Sequence, residues 1–336
     1  MSDRPRIRVA LPWVRDALAE AHAAQGLPAL PSLGWLAGRG DTVRFDTPWR
    51  QWLLQAVDAG LAAALDAWPA GPSLAAAAGA TAGTARGWGV AQPVHFATGL
   101  DHLRLAPLAD AVPSAEEAET LASSIRGHFA GDAFELLDFV DGAWVVRCEE
   151  AIDASTRDPA DLVGRNVHDY MPGGQHGARV RSWMNEIQML LHEHAVNERR
   201  MRRHTLPINA LWLWGFGRFD APPPPPAPAL GRWLLRSDDL WLRAFWRMHG
   251  AQERTLSDPA VSEQNALVAM TQPPTSDAAE ALVEVDSSLL SRLQQAMQGG
   301  RLRGLDLLIG DVAYTLDRPS RWRIWRRPAA PADLVP

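Results

Sequence analysis

Apolar runs and helical stripes alternate along the second half of this chain, and that alternation restricts the fold more than any other feature. After Gly173-Gly174, the residues Val180, Met184, Ile187 and Leu191 share one helical face. Residues 210–214 then form an apolar run of strand length, ended by Gly215-Phe-Gly217. Further on, the pattern predicts a helix over 237–248, a strand at 281–285, a helix over 289–297, and strands near 305–309 and 322–326. Strands separated by helices return to a sheet in the same direction, so a mainly parallel sheet flanked by helices is expected.

The first third adds a strand at 6–11 and a short helix over 30–36, closed by Gly38 and Gly40. Trp49, Leu53, Leu54, Val57, Leu61, Leu65 and Trp68 recur at helical spacing, which predicts one helix over 49–68. The Ala/Gly-rich stretch 69–89 has no period and reads as a loop. A different texture begins at Pro93. Strands are expected at 94–97 and 102–105. Ser114 and Glu117 have capping-box spacing for a helix to about residue 129. The runs 134–140 and 143–148 flank Asp141-Gly142, a hairpin signature. These elements define an α+β domain, placed at 91–208 and inserted into a core made of 1–90 and 209–336. The five prolines 222–226, within a connector spanning 221–229, cannot pair as a central strand and are expected to be extended and exposed.

Composition removes several chemistries. The 33 basic residues are all arginine, so a phosphate loop ending in Gly-Lys-Ser/Thr and any Schiff-base mechanism are excluded. A net charge of −6 argues against broad attraction to nucleic acid or anionic lipid. The single cysteine, Cys148, has no internal disulfide partner, and the N-terminal residues lack a signal-peptide core. No apolar run approaches the roughly 20 residues of a membrane span. A cytoplasmic location without a membrane partner is the expectation. Fifteen Trp against two Tyr put much of the large apolar area into indoles, which serve as packing residues or as anchors for a protein partner.

Three segments carry chemistry-bearing residues at defined spacing. They are Gly164-Arg-Asn-Val-His-Asp-Tyr-Met-Pro-Gly-Gly, His194-Ala-Val-Asn-Glu-Arg-Arg, and Leu206-Pro-Ile-Asn-Ala-Leu-Trp-Leu-Trp-Gly-Phe-Gly. Arginine offers paired donors, asparagine an amide, and histidine a donor or an acid/base group, a set suited to a phosphate or carboxylate. Asn197 and Arg200 equally fit a role at the end of the long helix. His192 and His194 lie two residues apart and cannot share an ion on one helix, so no metal site is expected there.

The array resembles the archaeal-type cofactor-independent phosphoglycerate mutases of the alkaline-phosphatase superfamily. It is more similar still to the bacterial RpfE-type regulatory proteins, which share Leu-Pro-x-Asn-x-Leu-Trp-Leu-Trp-Gly and the Pro-Val-His at 93–95. Motif order matches from about residue 90 to 217. The resemblance implies an alkaline-phosphatase-like core with an inserted domain. It also implies a site for a phosphorylated acid lined by His168, Asp169, His194, Asn197, Arg200 and Asn209, in a cleft between domain and core. Ala195 departs from the family's proline. The family's two-metal catalysis requires ligands at positions where this chain reads Val9-Ala-Leu-Pro-Trp, Val285-Asp-Ser-Ser-Leu and Asp311-Val312. With Asp286 and Asp311 alone, no catalytic residue, metal ligand set or cofactor is assigned. The expected function is regulatory or ligand-binding, directed at an anionic metabolite or a protein partner. A mutase-like phosphotransferase is the alternative.

Overall fold

The computed structural model describes residues 4–82, 87–98, 103–223, 228–254, 256 and 264–335. The chain forms two compact units, one comprising Met1–Ala64, Pro226–Trp246 and Gly250–Pro336, the other Leu65–Pro225 with Arg247–His249.

The first unit is built on a seven-stranded sheet. Its spatial order is Glu253–Arg254, Trp233–Ser237, Asn265–Ala269, Arg6–Leu11, Gly304–Ile309, Val312–Asp317, Asp41–Arg44. The first five run parallel; Val312–Asp317 runs antiparallel to them, and Asp41–Arg44 pairs antiparallel with Val312–Asp317 and so shares the direction of the first five. Register places Val9 beside Val268 and Leu307. Because strand side chains alternate, Ile7, Val9 and Leu11 enter one core together with Leu18, Leu33, Leu36, Leu282, Val285 and Leu293 from the covering helices. Arg8 projects to the opposite face, where its guanidinium stacks 3.8 Å from the centre of the Trp52 ring. Helix Trp49–Leu54 therefore covers that face, burying Trp52, Leu53 and Leu54.

Several elements differ from the sequence expectation, each for a local reason. Residues 281–285 belong to helix Ala278–Val285, not to a strand, because the Asp277 carboxylate accepts the Glu280 N–H at 2.8 Å and starts a helix. Residues 322–326 form no strand. Pro319 sits in the first turn of the 3-10 helix Arg318–Trp322, and the chain then turns. The single helix over 49–68 is three pieces, Trp49–Leu54, Ala59–Ala64 and Leu65–Ala67, because Asp58 accepts the Leu61 N–H at 3.0 Å and begins a new helix. The loop over 69–89 contains helix Ala70–Ala77 and the start of strand Gly87–Val94, with residues 83–86 outside the described set.

The second unit holds a four-stranded antiparallel sheet ordered Phe134–Val140, Ala143–Cys148, Gly87–Val94, Ala210–Arg218. Strand Ala210–Arg218, expected in the parallel core, instead pairs antiparallel with Gly87–Val94. The hairpin follows its signature: Asp141 and Gly142 have φ of 55° and 87°, both positive as a type I′ turn requires. The backbone of helix Ala70–Ala77 lies on this sheet, and a Cβ at Gly71 would sit 2.5 Å from the Gly89 Cα. Ser114 and Glu117 form the expected capping box of helix Ala115–His128. Strands Phe96–Thr98 and Leu103–Leu105 pair separately, while residues 99–102 lie outside the described set. Of the five prolines, Pro222 is exposed and Pro223 half-buried; residues 224–227 are not described. No described helix is long and apolar enough to cross a membrane.

Candidate functional site

Four of the six residues singled out by sequence meet around one stretch of chain in the second unit. His194 caps helix Ala195–Arg202, its Nδ1 accepting the Val196 N–H at 3.2 Å. With Nδ1 an acceptor, Nε2 carries the proton and donates to Ser124 Oγ at 3.0 Å. Burial, aided by the charge of Arg199, lowers the His194 pKa and favours this neutral form.

Asn197 is buried and pairs like a strand. Its Nδ2 donates to the Leu191 and Ile208 carbonyls, each at 2.8 Å, and its Oδ1 accepts the Ile208 N–H at 2.8 Å. Asn209 repeats the device on Phe96, accepting its N–H at 2.8 Å and donating to its carbonyl at 2.9 Å. Arg200 is 4% exposed and directs Nε to the Leu206 carbonyl at 2.7 Å. Its Nη1 reaches the Val112 carbonyl at 3.3 Å and Glu117 Oε2 at 2.8 Å, and Nη2 the Asp110 carbonyl at 3.1 Å. These three polar side chains are occupied in holding residues 191–209 against the loop 110–112 and the strand beginning at Phe96. These bonds all lie within the fold, an arrangement distinct from an exposed helix end. His168 and Asp169 lie on the 3-10 helix Val167–Tyr170, both exposed.

A second polar set lies in the first unit, at the carboxyl ends of the parallel strands, where ligands bind in open α/β sheets. Arg50 and Asp239 form a two-point ion pair, Nε to Oδ1 at 3.0 Å and Nη2 to Oδ2 at 2.6 Å, with both residues buried. Asp238 accepts the Thr271 N–H at 2.8 Å and hydroxyl at 3.0 Å through Oδ1, and the Gln272 N–H at 3.2 Å through Oδ2. Asp311 is ion-paired with Arg15. Away from the strand ends, on the π-helical turn Asp286–Leu290, Asp286 accepts the Leu33 N–H at 2.6 Å and the Ser32 N–H at 3.2 Å, capping helix Pro31–Arg39. Asp238 and Asp239 belong to none of the three chemistry-bearing segments of the sequence. Their signal was present as an acidic pair between an apolar run and an amphipathic helix, the N-cap position, and the Leu242 N–H does bond to Asp239 at 2.7 Å.

The two-metal centre of the phosphoglycerate mutases needs several carboxylates and imidazoles converging on one point. The residues present do not fit it. Asp238, Asp239, Asp286 and Asp311 each face an arginine or backbone N–H groups. Among the described residues, no three of His, Cys, Asp or Glu gather in a metal-binding arrangement.

Desolvation of the carboxyl itself, in a residue that is otherwise exposed, pushes Asp238 from 3.8 up to about 6, with the neighbouring Asp239 adding to the rise and the Thr271 bonds opposing it. The folded state therefore binds this proton more tightly than the unfolded state. The associated stability is fully present below pH 3.8 and is lost as pH rises through about 6. Subtracting the urea-denaturation profile of Asp238→Asn from that of the native protein is expected to leave a curve descending between these two values. A flat difference curve would remove Asp238 from the balance.

The large mainly parallel sheet flanked by helices, with a separate antiparallel sheet, is the alkaline-phosphatase-like class expected from sequence. The fold of the PH0037 protein from Pyrococcus horikoshii matches 97% of this chain and 91% of that chain, with a TM-score of 0.50 at 13% identity. A cofactor-independent phosphoglycerate mutase from Thermoplasma acidophilum superposes with a TM-score of 0.41 at 16% identity, over 93% of this chain and 89% of that one.

Local sequence similarity gives the relationship. A 2,3-bisphosphoglycerate-independent phosphoglycerate mutase from Methanosarcina barkeri is 24% identical over 120 residues, 35% of this chain and 30% of the relative. Its counterpart from Methanothrix thermoacetophila is 30% identical over 110 residues, 33% of this chain and 28% of the relative. The similarity thus spans less than a third of the length of these curated relatives, and no family model matches the chain. The chain is a remote homologue of the cofactor-independent phosphoglycerate mutases.

Proposed function

We propose that this protein is a regulatory or ligand-binding relative of the phosphoglycerate mutases that works without a divalent-metal centre, as its RpfE-type resemblance implies. The observation that carries this reading is the commitment of the acidic groups at the strand ends and of Asp286 within its helical run. Arg15 neutralises Asp311 and Arg50 neutralises Asp239, while Asp238 and Asp286 are held by N–H groups. A carboxylate already neutralised by an internal cation has lost most of what draws it to an external one. Phosphoryl transfer of the mutase type needs cations to stabilise both the attacking and leaving oxygens, and such a site gives them no seat.

For an anionic metabolite, the exposed His168 and Asp169 are the members of the original set available for contact. His194, Asn197, Arg200 and Asn209 act through the shape of residues 191–209. A phosphotransferase acting on a small phosphorylated acid is the second reading, favoured by the name shared by the curated relatives.

Equilibrium dialysis against Mn2+, Zn2+ and Mg2+, with an assay of phosphoglycerate interconversion on the same sample, separates the two. The expected outcome is no stoichiometric retention of any ion and no turnover. Two tightly held ions per chain together with turnover would establish the enzyme.

A further inference from the structure

Among the described residues, the most exposed large apolar side chain is Ile324, at 79%, and two residues of the same short segment accompany it, Trp322 at 65% and Trp325 at 74%. A single exposed apolar residue is ordinary, but three within four positions of one rigid turn are not.

Rigidity follows from what holds the turn. Arg323 grips both oxygens of Asp41 at 2.8 Å and also donates to the Arg39 carbonyl at 3.0 Å. Arg326 donates to the Gly40 carbonyl and to Asp41, each at 3.0 Å. Downstream, the Ala329 N–H bonds to the Gly34 carbonyl at 2.9 Å. A Cβ at Gly38 would lie 2.3 Å from the Arg327 carbonyl oxygen, so the segment rests on bare helix backbone. Upstream, Ser320 is buried and its hydroxyl closes onto the Asp317 N–H at 3.1 Å. Arg323 and Arg326 face inward, and Trp322, Ile324 and Trp325 are left facing out.

The surroundings are cationic in a chain whose net charge is −6. Arg301, Arg303, Arg318 and Arg327 are exposed, as is Arg4. Backbone bonds gather three of them at one edge: the Arg318 N–H meets the Arg303 carbonyl at 3.2 Å, and the Arg303 N–H meets the Pro5 carbonyl at 2.9 Å, next to Arg4. The nearby acids are engaged, Asp41 by Arg323 and Arg326, and Asp306 and Asp317 by Arg6.

We propose that this turn and its arginine border form a docking surface for an anionic phospholipid bilayer, touching the membrane without crossing it. Tryptophan flanking an aliphatic tip, with arginines along one edge, matches the layered chemistry of a bilayer surface. The indoles suit the headgroup level, the tip suits the acyl boundary, and the guanidiniums suit anionic headgroups. A single-stranded nucleic acid would need flat stacking platforms, and Ile324 offers no π face. This departs from the expectation, drawn from net charge, that lipid surfaces are not partners: a segregated cationic edge acts at Debye-length range irrespective of total charge.

The test is flotation of the full chain with phosphatidylcholine vesicles, with and without 30% phosphatidylglycerol (about 30 mol%, a composition chosen for strong surface charge). The native protein is expected to float with the anionic vesicles and not with the neutral ones. The triple change Trp322→Ser, Ile324→Ser, Trp325→Ser should lower the bound fraction by about tenfold or more. Arg301→Gln with Arg303→Gln and Arg318→Gln should weaken partitioning on the order of 10- to 100-fold. Unchanged circular dichroism of the variants ties the loss to the surface. Equal flotation of native and variant protein, or none with anionic vesicles, overturns the proposal. So does a shift of a single-stranded RNA oligomer, or self-association, that the triple change abolishes while vesicle binding is absent.

Discussion

Asp239→Ala is expected to destabilise the first unit by about 3–5 kcal/mol, the usual cost of removing one partner from a buried ion pair. The Asp239 side chain is 1% exposed and that of Arg50 9%, so water cannot replace the lost carboxylate. The guanidinium lies between two indoles, 4.5 Å from the Trp49 ring centre and 5.1 Å from that of Trp241. Those faces favour the cation but do not supply the two acceptors that Oδ1 and Oδ2 provide. The same substitution removes the acceptor for the Leu242 N–H, bonded at 2.7 Å, and so uncaps the following helix. Urea denaturation followed by far-ultraviolet circular dichroism measures the loss, and a change below about 1 kcal/mol would mean the site relaxes to admit water. Arg50→Met combined with Asp239→Ala should recover part of the loss, because no unpaired charge then remains.

What could be read from sequence divides by the range of the interaction. Asp141-Gly142 and the Ser114/Glu117 pair were legible because a turn and a cap are decided within four residues. The alternation at 6–11 was legible because one strand's two faces differ in polarity, with Arg6 and Arg8 against Ile7 and Val9. Residues 281–285 were read as a strand because a short apolar run has no period of its own; the deciding residue was Asp277, four positions upstream. Strands Trp233–Ser237 and Asn265–Ala269 escaped notice for the opposite reason: they are buried on both faces and too short to show alternation. The candidate site divides in the same way. Of the six residues read as a ligand site, those at 194, 197, 200 and 209 bond within one stretch of chain and its neighbours. Their partners could not be seen, because backbone carbonyls at 110, 112 and 206 carry no sequence signature. Arg50 and Asp239 stand 189 positions apart, and nothing local joins them.

Arg200→Ala is the second large effect, expected at about 3–5 kcal/mol in the second unit, and it addresses what the mutase-like motif does here. Arg200 joins the Asp110 and Val112 carbonyls, the Glu117 carboxylate and the Leu206 carbonyl. Its removal leaves Glu117, 12% exposed, without its cation, although the Ser114 N–H remains bonded to it at 2.9 Å. Lysine should rescue poorly, because a point ammonium cannot reproduce a planar fork directed at four acceptors. Asn197→Ala should act in the same direction at roughly 2 kcal/mol or more, taking the side-chain partner from the Ile208 N–H and carbonyl in a buried site, at about 1–3 kcal/mol for each group not reached by water, while the Leu191 carbonyl keeps the His194 N–H at 3.3 Å. If instead Arg200→Ala melts like the native protein and loses affinity for phosphoglycerate in calorimetry, the arginine serves a ligand and the latch described here is incidental. Stability lost with ligand response unchanged identifies the motif as scaffold. A chain can then keep the sequence signature of its relatives for the fold's sake while its acidic strand ends are turned to internal pairing.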